Sequence, residues 1–384
     1  MGTPRKRGRS MGFAHGCRVN AAFRGDVRIC VAESVNTFRA PNCMSGDAAG
    51  TEEPGSASQQ DRVAAAPSRK KRLVMGLLSV GISLLFTALL MEVGLRIYFP
   101  SELSVVQDER NLLYRYDPIL GWFPVAGRSN VFLGTRTIRV THNSQGFRAA
   151  TDYAPGHKPG IIFLGDSFVW GYDVELSERF TEKLQAKHSQ WSIYNFGVSG
   201  YGTDQEYLLL QQQFDRYRPR VVFLMYEETD DGDNSTNQRW GYYKPYATVT
   251  GSRLEVHGIP VPRSDRFFFA THKLLVRSYV IRLLALGYFK LTAPRVIQNT
   301  PNPSGALVRD IQKYVNSKGA RLVVGLTWRN PPMEQILTYF KIPFVDLSTD
   351  LRYSGKGYHW SAEGHTFVAD KIDEFLAKGG FMGE

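Results

Sequence analysis

The stretch Ile161-Ile162-Phe163-Leu164-Gly165-Asp166-Ser167-Phe168 decides the fold. A short apolar run that ends in glycine reads as a buried parallel strand feeding a tight loop. A helical spacing of apolar residues follows, through Leu176, Phe180 and Leu184. Ser167 therefore falls at the C-terminal end of a strand, at or near the start of a helix. Open α/β sheets bind ligands outside that edge, where free backbone N–H groups face anions. A serine so placed is a candidate nucleophile if a base lies within reach. The plain alternative is that Asp166 or Ser167 caps the next helix.

From residue 160 onward the pattern alternates strand and helix. Strands are expected at 161–164, 192–196, 220–226, 321–327 and 342–345, and helices at 177–188, 203–216, 305–318, 332–340 and 361–377. Such alternation predicts an α/β fold with a parallel sheet and helices on both faces. Five strands suit a three-layer, flavodoxin-like sheet. Residues 232–300 break the rhythm and read as an insertion into a domain spanning 151–384. Its first half is polar, aromatic and punctuated by Gly and Pro. Its second half, Arg266 to Leu291, is apolar with interspersed charges. His272, Lys273, Arg277 and Arg282 argue against a membrane span. An amphipathic helix is expected, packed on the domain or lying on a membrane surface. Placed at the C-terminal sheet edge, the insertion would shape a cleft.

Residues 1–68 are rich in Gly, Ala, Ser and Arg without a sustained period. They read as a disordered tail, or as upstream of a later translation start near Met75. Arg69-Lys70-Lys71-Arg72 then precedes an uncharged apolar run from Leu73 to Met91. That length matches the roughly 20 residues of a membrane-spanning helix, so residues 69–98 are expected to be an anchor. The basic cluster predicts a cytoplasmic N-terminus and a domain on the periplasmic or extracellular side. A cleaved signal peptide is the rival, but Leu89-Leu90-Met91-Glu92-Val93 carries no A-x-A-like site. Residues 101–150 read as a lead-in of strands and turns. Thr137-Ile138-Arg139-Val140 alternates like a strand, and Asn143-Ser144-Gln145-Gly146-Phe147-Arg148 forms a turn. Arg148 is read as a surface charge rather than an ion-pair partner.

Much of the net charge of +11 lies ahead of residue 73. The folded part lacks the basic face with interleaved aromatics of a nucleic-acid binder, so no nucleic acid is expected. Cys17, Cys30 and Cys43 all fall in the tail, with no metal spacing and no complete disulfide set. No metal cluster is visible, and no cofactor is expected. The loop after the first strand lacks a G-x-G-x-x-G or Walker pattern, which weakens a nucleotide-binding reading.

Four blocks fall on one edge of the expected sheet: Gly165-Asp166-Ser167-Phe168, Tyr194 to Gly202, Tyr226 to Asn234, and Tyr358-His359-Trp360-Ser361-Ala362-Glu363-Gly364-His365. His359 lies in a loop, whereas His365 lies inside the last helix and reads as structural. A serine, a histidine and oxyanion donors meeting at one edge have the geometry of acyl transfer. In their order and spacing these blocks, with the lead-in Asn143–Arg148, resemble the SGNH (GDSL-like) hydrolase superfamily in its membrane-anchored bacterial form, over residues 105–380.

The resemblance implies Ser167 as nucleophile, His359 as general base, and the N–H groups of Ser167 and Gly200 as oxyanion donors. It also exposes two departures. Thr229-Asp230 stands where the family has Asn-Asp, whose Asn side chain is the third oxyanion donor; the resemblance puts Thr229 in that role, with a hydroxyl that donates one hydrogen bond at shorter reach. Lys356 and Gly357 stand where the family places the Asp that orients the histidine. Asp346, Asp350 or a backbone carbonyl is the substitute to look for. Two functions follow as expectations. One is a membrane-anchored serine esterase or O-acyltransferase acting on an ester-bearing glycan or lipid. The other is a catalytically weakened relative that binds acylated glycans or lipids.

Overall fold

A computed structural model describes residues 68–105, 109–156, 158–297, 302–355 and 358–382. The expectations for the tail through residue 67 and for Lys356 and Gly357 lie outside these residues. Helix α1 (Arg69–Tyr98) contains the apolar run, and none of its residues is buried. Among the described residues it is the helix long and apolar enough to cross a membrane.

The lead-in holds α2 (Glu109–Leu113), β1 (Tyr114–Asp117), β2 (Gly121–Pro124), β3 (Ser129–Leu133) and β4 (Thr137–Thr141). β1 pairs with β2 and β3 with β4, both antiparallel. The Asp117 carboxylate accepts the N–H groups of Ile119 and Leu120, which sets the first turn. Asn143 Oδ1 accepts those of Gln145 and Phe147, which sets the turn before Arg148.

The α/β part runs β5 (Gly160–Leu164), α3 (Ser167–Trp170), α4 (Phe180–Lys187), β6 (Ser192–Asn195), α5 (Thr203–Tyr217), β7 (Val221–Tyr226) and α6 (Asp230–Asp233). The insertion adds β8 (Gln238–Arg239), β9 (Tyr242–Tyr243), β10 (Tyr246–Thr250), β11 (Arg253–His257), α7 (Asp265–Thr271) and α8 (Tyr279–Thr292). The chain closes with α9 (Ser304–Ser317), β12 (Arg321–Leu326), α10 (Pro331–Tyr339), β13 (Phe344–Asp346) and α11 (Ala362–Lys378).

The five parallel strands lie in the order β13-β12-β7-β5-β6. Counting sheet strands in chain order from the β6 edge, this is the flavodoxin-like 2-1-3-4-5 arrangement, and its switch point lies between β5 and β7. Strand alternation divides the core. Ile162 and Leu164 face Leu209 and Phe214 of α5 and Val308 and Ile311 of α9. Ile161 and Phe163 face Phe180 and Leu184 of α4 and Val368 and Ile372 of α11. Both faces being covered, β5 and β7 are buried throughout, which is why they read as unbroken apolar runs.

Two boundaries move by more than one residue. The helix expected at 177–188 starts at Phe180, because Leu176–Glu178 forms a separate 3₁₀ turn and Arg179 is extended at ψ 140°. The strand expected at 342–345 starts at Phe344, since Pro343 has no N–H for the ladder. The insertion is tied to the sheet edge by Lys244. Its buried ammonium donates to Asp204 Oδ2 at 2.5 Å and to the carbonyls of Asp233, Thr236 and Pro245.

Candidate active site

Asp166 Oδ1 accepts the Phe168 N–H at 2.9 Å and caps α3, a four-residue helix. Capping thus falls to Asp166, and the Ser167 hydroxyl is left for another partner. That partner is His359: Ser167 Oγ lies 2.8 Å from His359 Nε2, across 192 residues of sequence. Both side chains are largely buried. Asp166 Oδ2 lies 3.2 Å from the same hydroxyl. Tyr172 stacks on the imidazole at 4.2 Å, and Phe168 lies at 5.1 Å, so the ring is held on its faces.

Behind the imidazole stands Asp173. Its Oδ2 is 3.9 Å from His359 Nδ1, beyond hydrogen-bond length but within ion-pair range. Asp173 is fully buried, and this oxygen has no hydrogen-bond partner among the described residues. Its Oδ1 accepts the N–H groups of Thr135 at 2.6 Å and Arg136 at 3.3 Å, which hang from the β3–β4 turn. Asp346, one candidate weighed from sequence, instead accepts the Ser348 N–H at 2.9 Å.

The loop that carries Asp173 is tightly folded, with Gly171 at φ 85° and Asp173 at φ 65°. Arg148 holds it, and here the expectation of a surface charge is overturned. The Arg148 guanidinium is buried and donates to the carbonyls of Trp170, Gly171 and Val174. Burial, with Arg179 adding repulsion, pulls it down to about 9. Arg179 donates in turn to the carbonyls of Trp170 and Arg148 and pairs with Glu182. The turn at 143–148 therefore delivers a clamp to the loop behind the histidine.

Gly200 sits at φ 81°, and a Cβ there would collide with the Arg110 guanidinium and the Trp240 ring. The hydrogen bonds among the described residues include none donated by the N–H of Ser167 or of Gly200. Asn195 joins the two loops. Its Nδ2 donates to Val169 O at 2.7 Å and its Oδ1 accepts the Gly197 N–H at 3.0 Å.

Thr229 is engaged elsewhere. Its hydroxyl donates to Asp233 Oδ2 at 3.0 Å and accepts from Arg239 Nη2 at 3.2 Å. Arg239 also pairs with Asp233 and lies over the Trp240 ring at 3.8 Å. Burial lowers its guanidinium to about 10, opposed by the carboxylate of Asp166. Burial, then the charge of Glu227, pushes Asp166 up to about 6. His365 behaves as read from sequence. It accepts the Phe180 N–H through Nδ1 at 3.3 Å, and burial holds it well below the usual imidazole range.

Sequence reasoning missed Asp173, Arg239 and the buried state of Arg148. No motif marks Asp173; a polar residue straight after a Gly-containing turn was the available signal.

Solved structures of an esterase, a lipolytic protein and a lipase/acylhydrolase are similar to this chain. They include the psychrotrophic esterase EstA from Pseudoalteromonas sp., at 11% identity over 58% of this chain and 98% of that one, TM-score 0.35. They include a member of the lipolytic protein G-D-S-L family from Veillonella parvula, at 15% identity over 57% and 98%, TM-score 0.32. A third is the lipase/acylhydrolase from Enterococcus faecalis, at 10% identity over 58% and 96%, TM-score 0.34. No family model and no curated protein matches the chain.

Proposed function

We propose that this chain is a serine hydrolase of the SGNH type, acting on an ester through an acyl-enzyme and anchored by α1. The observation that carries the reading is the 2.8 Å contact between Ser167 Oγ and His359 Nε2, at the switch point of the sheet. Ser167 Oγ attacks the ester carbonyl carbon while His359 Nε2 takes its proton. Asp173, a positioning residue, holds the imidazole by its Nδ1 side and balances the charge it gains; such contacts tighten in the substrate complex. The tetrahedral oxyanion faces the N–H groups of Ser167 and Gly200. Thr229, its proton held by Asp233, serves this pocket through Arg239, whose guanidinium stands in for the missing neutral Asn as a donor and adds a positive charge that the Asn would not have supplied. Collapse breaks the C–O bond, and His359 returns the proton to the departing alcohol. Water then releases the acyl group in an esterase; a sugar hydroxyl takes it in an O-acyltransferase.

The committed hydroxyl of Thr229 favours a second reading, a weakened relative that binds acylated glycans or lipids without turnover. The two separate cleanly. Full-length protein in detergent is assayed for p-nitrophenyl acetate hydrolysis and for labelling by a fluorophosphonate, beside Ser167→Ala and His359→Ala. The hydrolase reading expects both signals in wild type and their loss in the folded variants. Equal signals in all three would sink it and leave the binding reading.

A further inference from the structure

Residues 266–300 contain Arg266, Lys273, Arg277, Arg282, Lys290 and Arg295 and no Asp or Glu. Within this stretch α8 has no buried residue. A surface helix ordinarily turns its polar face outward, whereas α8 leaves large apolar side chains exposed. Leu284, Tyr288 and Leu291, spaced along one face, are 68%, 62% and 89% exposed. Leu274 and Leu275, just ahead of the helix, are exposed as well. Ile281, Ala285 and Phe289 are half-buried, and Phe289 meets Phe268 of α7 at 5.7 Å.

The start of α8 is fixed to the far end of α1. Glu92 accepts the Ser278 hydroxyl at 2.7 Å and the N–H groups of Tyr279 and Val280 at 3.0 and 3.1 Å. Arg96 donates to Arg277 O at 2.7 Å and lies over the Tyr279 ring at 4.8 Å. Arg282 covers the same ring at 4.4 Å and donates to Leu103 O. Glu92 is the residue that ends the apolar run Leu73–Met91. Nineteen helical residues rise about 28 Å, close to the roughly 30 Å hydrocarbon core of a bilayer. If α1 spans, the contact between Glu92 and α8 stands at the boundary of that core.

We infer that the segment from Leu274 through α8 docks into the anionic lipid surface of the same membrane that α1 crosses. Apolar side chains outward, basic residues in the same segment and no acid are the composition of an interfacial helix. The Glu92 contacts hold it at the height where such a helix rests. The domain is then set on the bilayer by two elements rather than hung from one. The inference rests on α1 as a span and is independent of the Ser167 chemistry.

The test uses the full-length chain in vesicles of phosphatidylcholine and phosphatidylglycerol, with photoreactive p-benzoylphenylalanine replacing Leu284 or Leu291. Leu78 in α1 and the exposed Tyr339 in α10 are the controls. Lipid adducts are expected at 284, 291 and 78, and none at 339. Adducts at 78 but not at 284 and 291 would overturn the inference, as would a covalent dimer formed through 284 or 291. Absence at 78 would overturn it together with the reading of α1. Removing the phosphatidylglycerol is expected to lower the yield at 284 by about fivefold or more, the effect of one or more near-surface basic residues. An unchanged yield would overturn the anionic-surface assignment. Hydrolysis of a soluble ester stays as it is in detergent, which separates this test from that of the active site.

Discussion

An imidazole that is to accept a proton at Nε2 must keep its other nitrogen oriented, and in the proposed mechanism Asp173 does this from a loop unrelated to the histidine's own. Asp173→Asn keeps both contacts to the β3–β4 turn available, so the fold is expected to hold. The amide carries no charge to balance an imidazolium, and kcat is expected to fall by about 10²–10⁴-fold. Asp346→Asn, whose carboxylate serves Ser348, is expected to stay near wild type. Equal activity of the two variants would remove Asp173 from the site. Arg239 is tested in the same assay. Arg239→Gln withdraws the positive charge beside Thr229 and Asp166, and kcat is expected to drop by about 10²–10³-fold with little change in KM. A change confined to KM would instead make Arg239 a binding residue. The serine and histidine were legible because each stands in a short motif at the end of a predicted element. Asp173 and Arg239 were not, because the roles proposed for them come from a loop and an insertion strand that meet the site only after the sheet has formed.

Elements explain why the framework was readable and the first half of the insertion was not. β5 and β7 are buried on both faces, so their apolar runs state their structure directly. The short hairpins β8–β9 and β10–β11 leave no such run. Arg148 shows the limit at this scale. Its acceptors are main-chain carbonyls at residues 170, 171 and 174, and a sequence does not disclose which carbonyls lack partners. Arg148→Met of similar length leaves the Trp170 carbonyl to Arg179 but withdraws the guanidinium from those of Gly171 and Val174 in a buried site, at about 1–3 kcal/mol for each left unpaired where water does not reach it. The variant is expected to unfold at lower urea than wild type and to lose activity out of proportion to the unfolded fraction, since the Asp173 loop loosens. Wild-type kcat in the folded fraction would confine Arg148 to stability. Lys244 plays the matching part for the insertion. Lys244→Met leaves Asp204 buried without its counter-charge and is expected to cost about 3–5 kcal/mol, read as a lower denaturation midpoint.

At the scale of the whole molecule the buried carboxylates decide how stability varies with pH. Glu206 is buried, and both its oxygens lack hydrogen-bond partners among the described residues. Burial, then the charges of Asp166 and Asp204, holds it well above the usual carboxylate range. Asp230 is raised likewise by burial and then by Glu206 and Asp166. These acids keep protons in the folded state that the unfolded chain releases near pH 4–4.5 or so. Where the folded state binds more protons, stability falls as pH rises, by up to about 1.4 kcal/mol per unit for each group. His365 opposes this in acid: it is neutral when folded and takes a proton on unfolding below about pH 6.5. Above neutrality that opposition has gone, and Asp166, raised to about 6, has ionised. Glu206 and Asp230, held well above the usual carboxylate range, keep their protons longer than the unfolded chain does, so Tm is expected to decline with rising pH until they ionise in the folded protein. Lys244, lowered by burial, works in the opposite direction only at more alkaline pH. Glu206→Gln is neutral at every pH and removes the charge that most raises Asp230 after burial. It is expected to flatten the decline while leaving the acid limb in place. A wild-type slope in Glu206→Gln would show that Glu206 is already ionised in the folded protein, its charge met by the nearby basic groups.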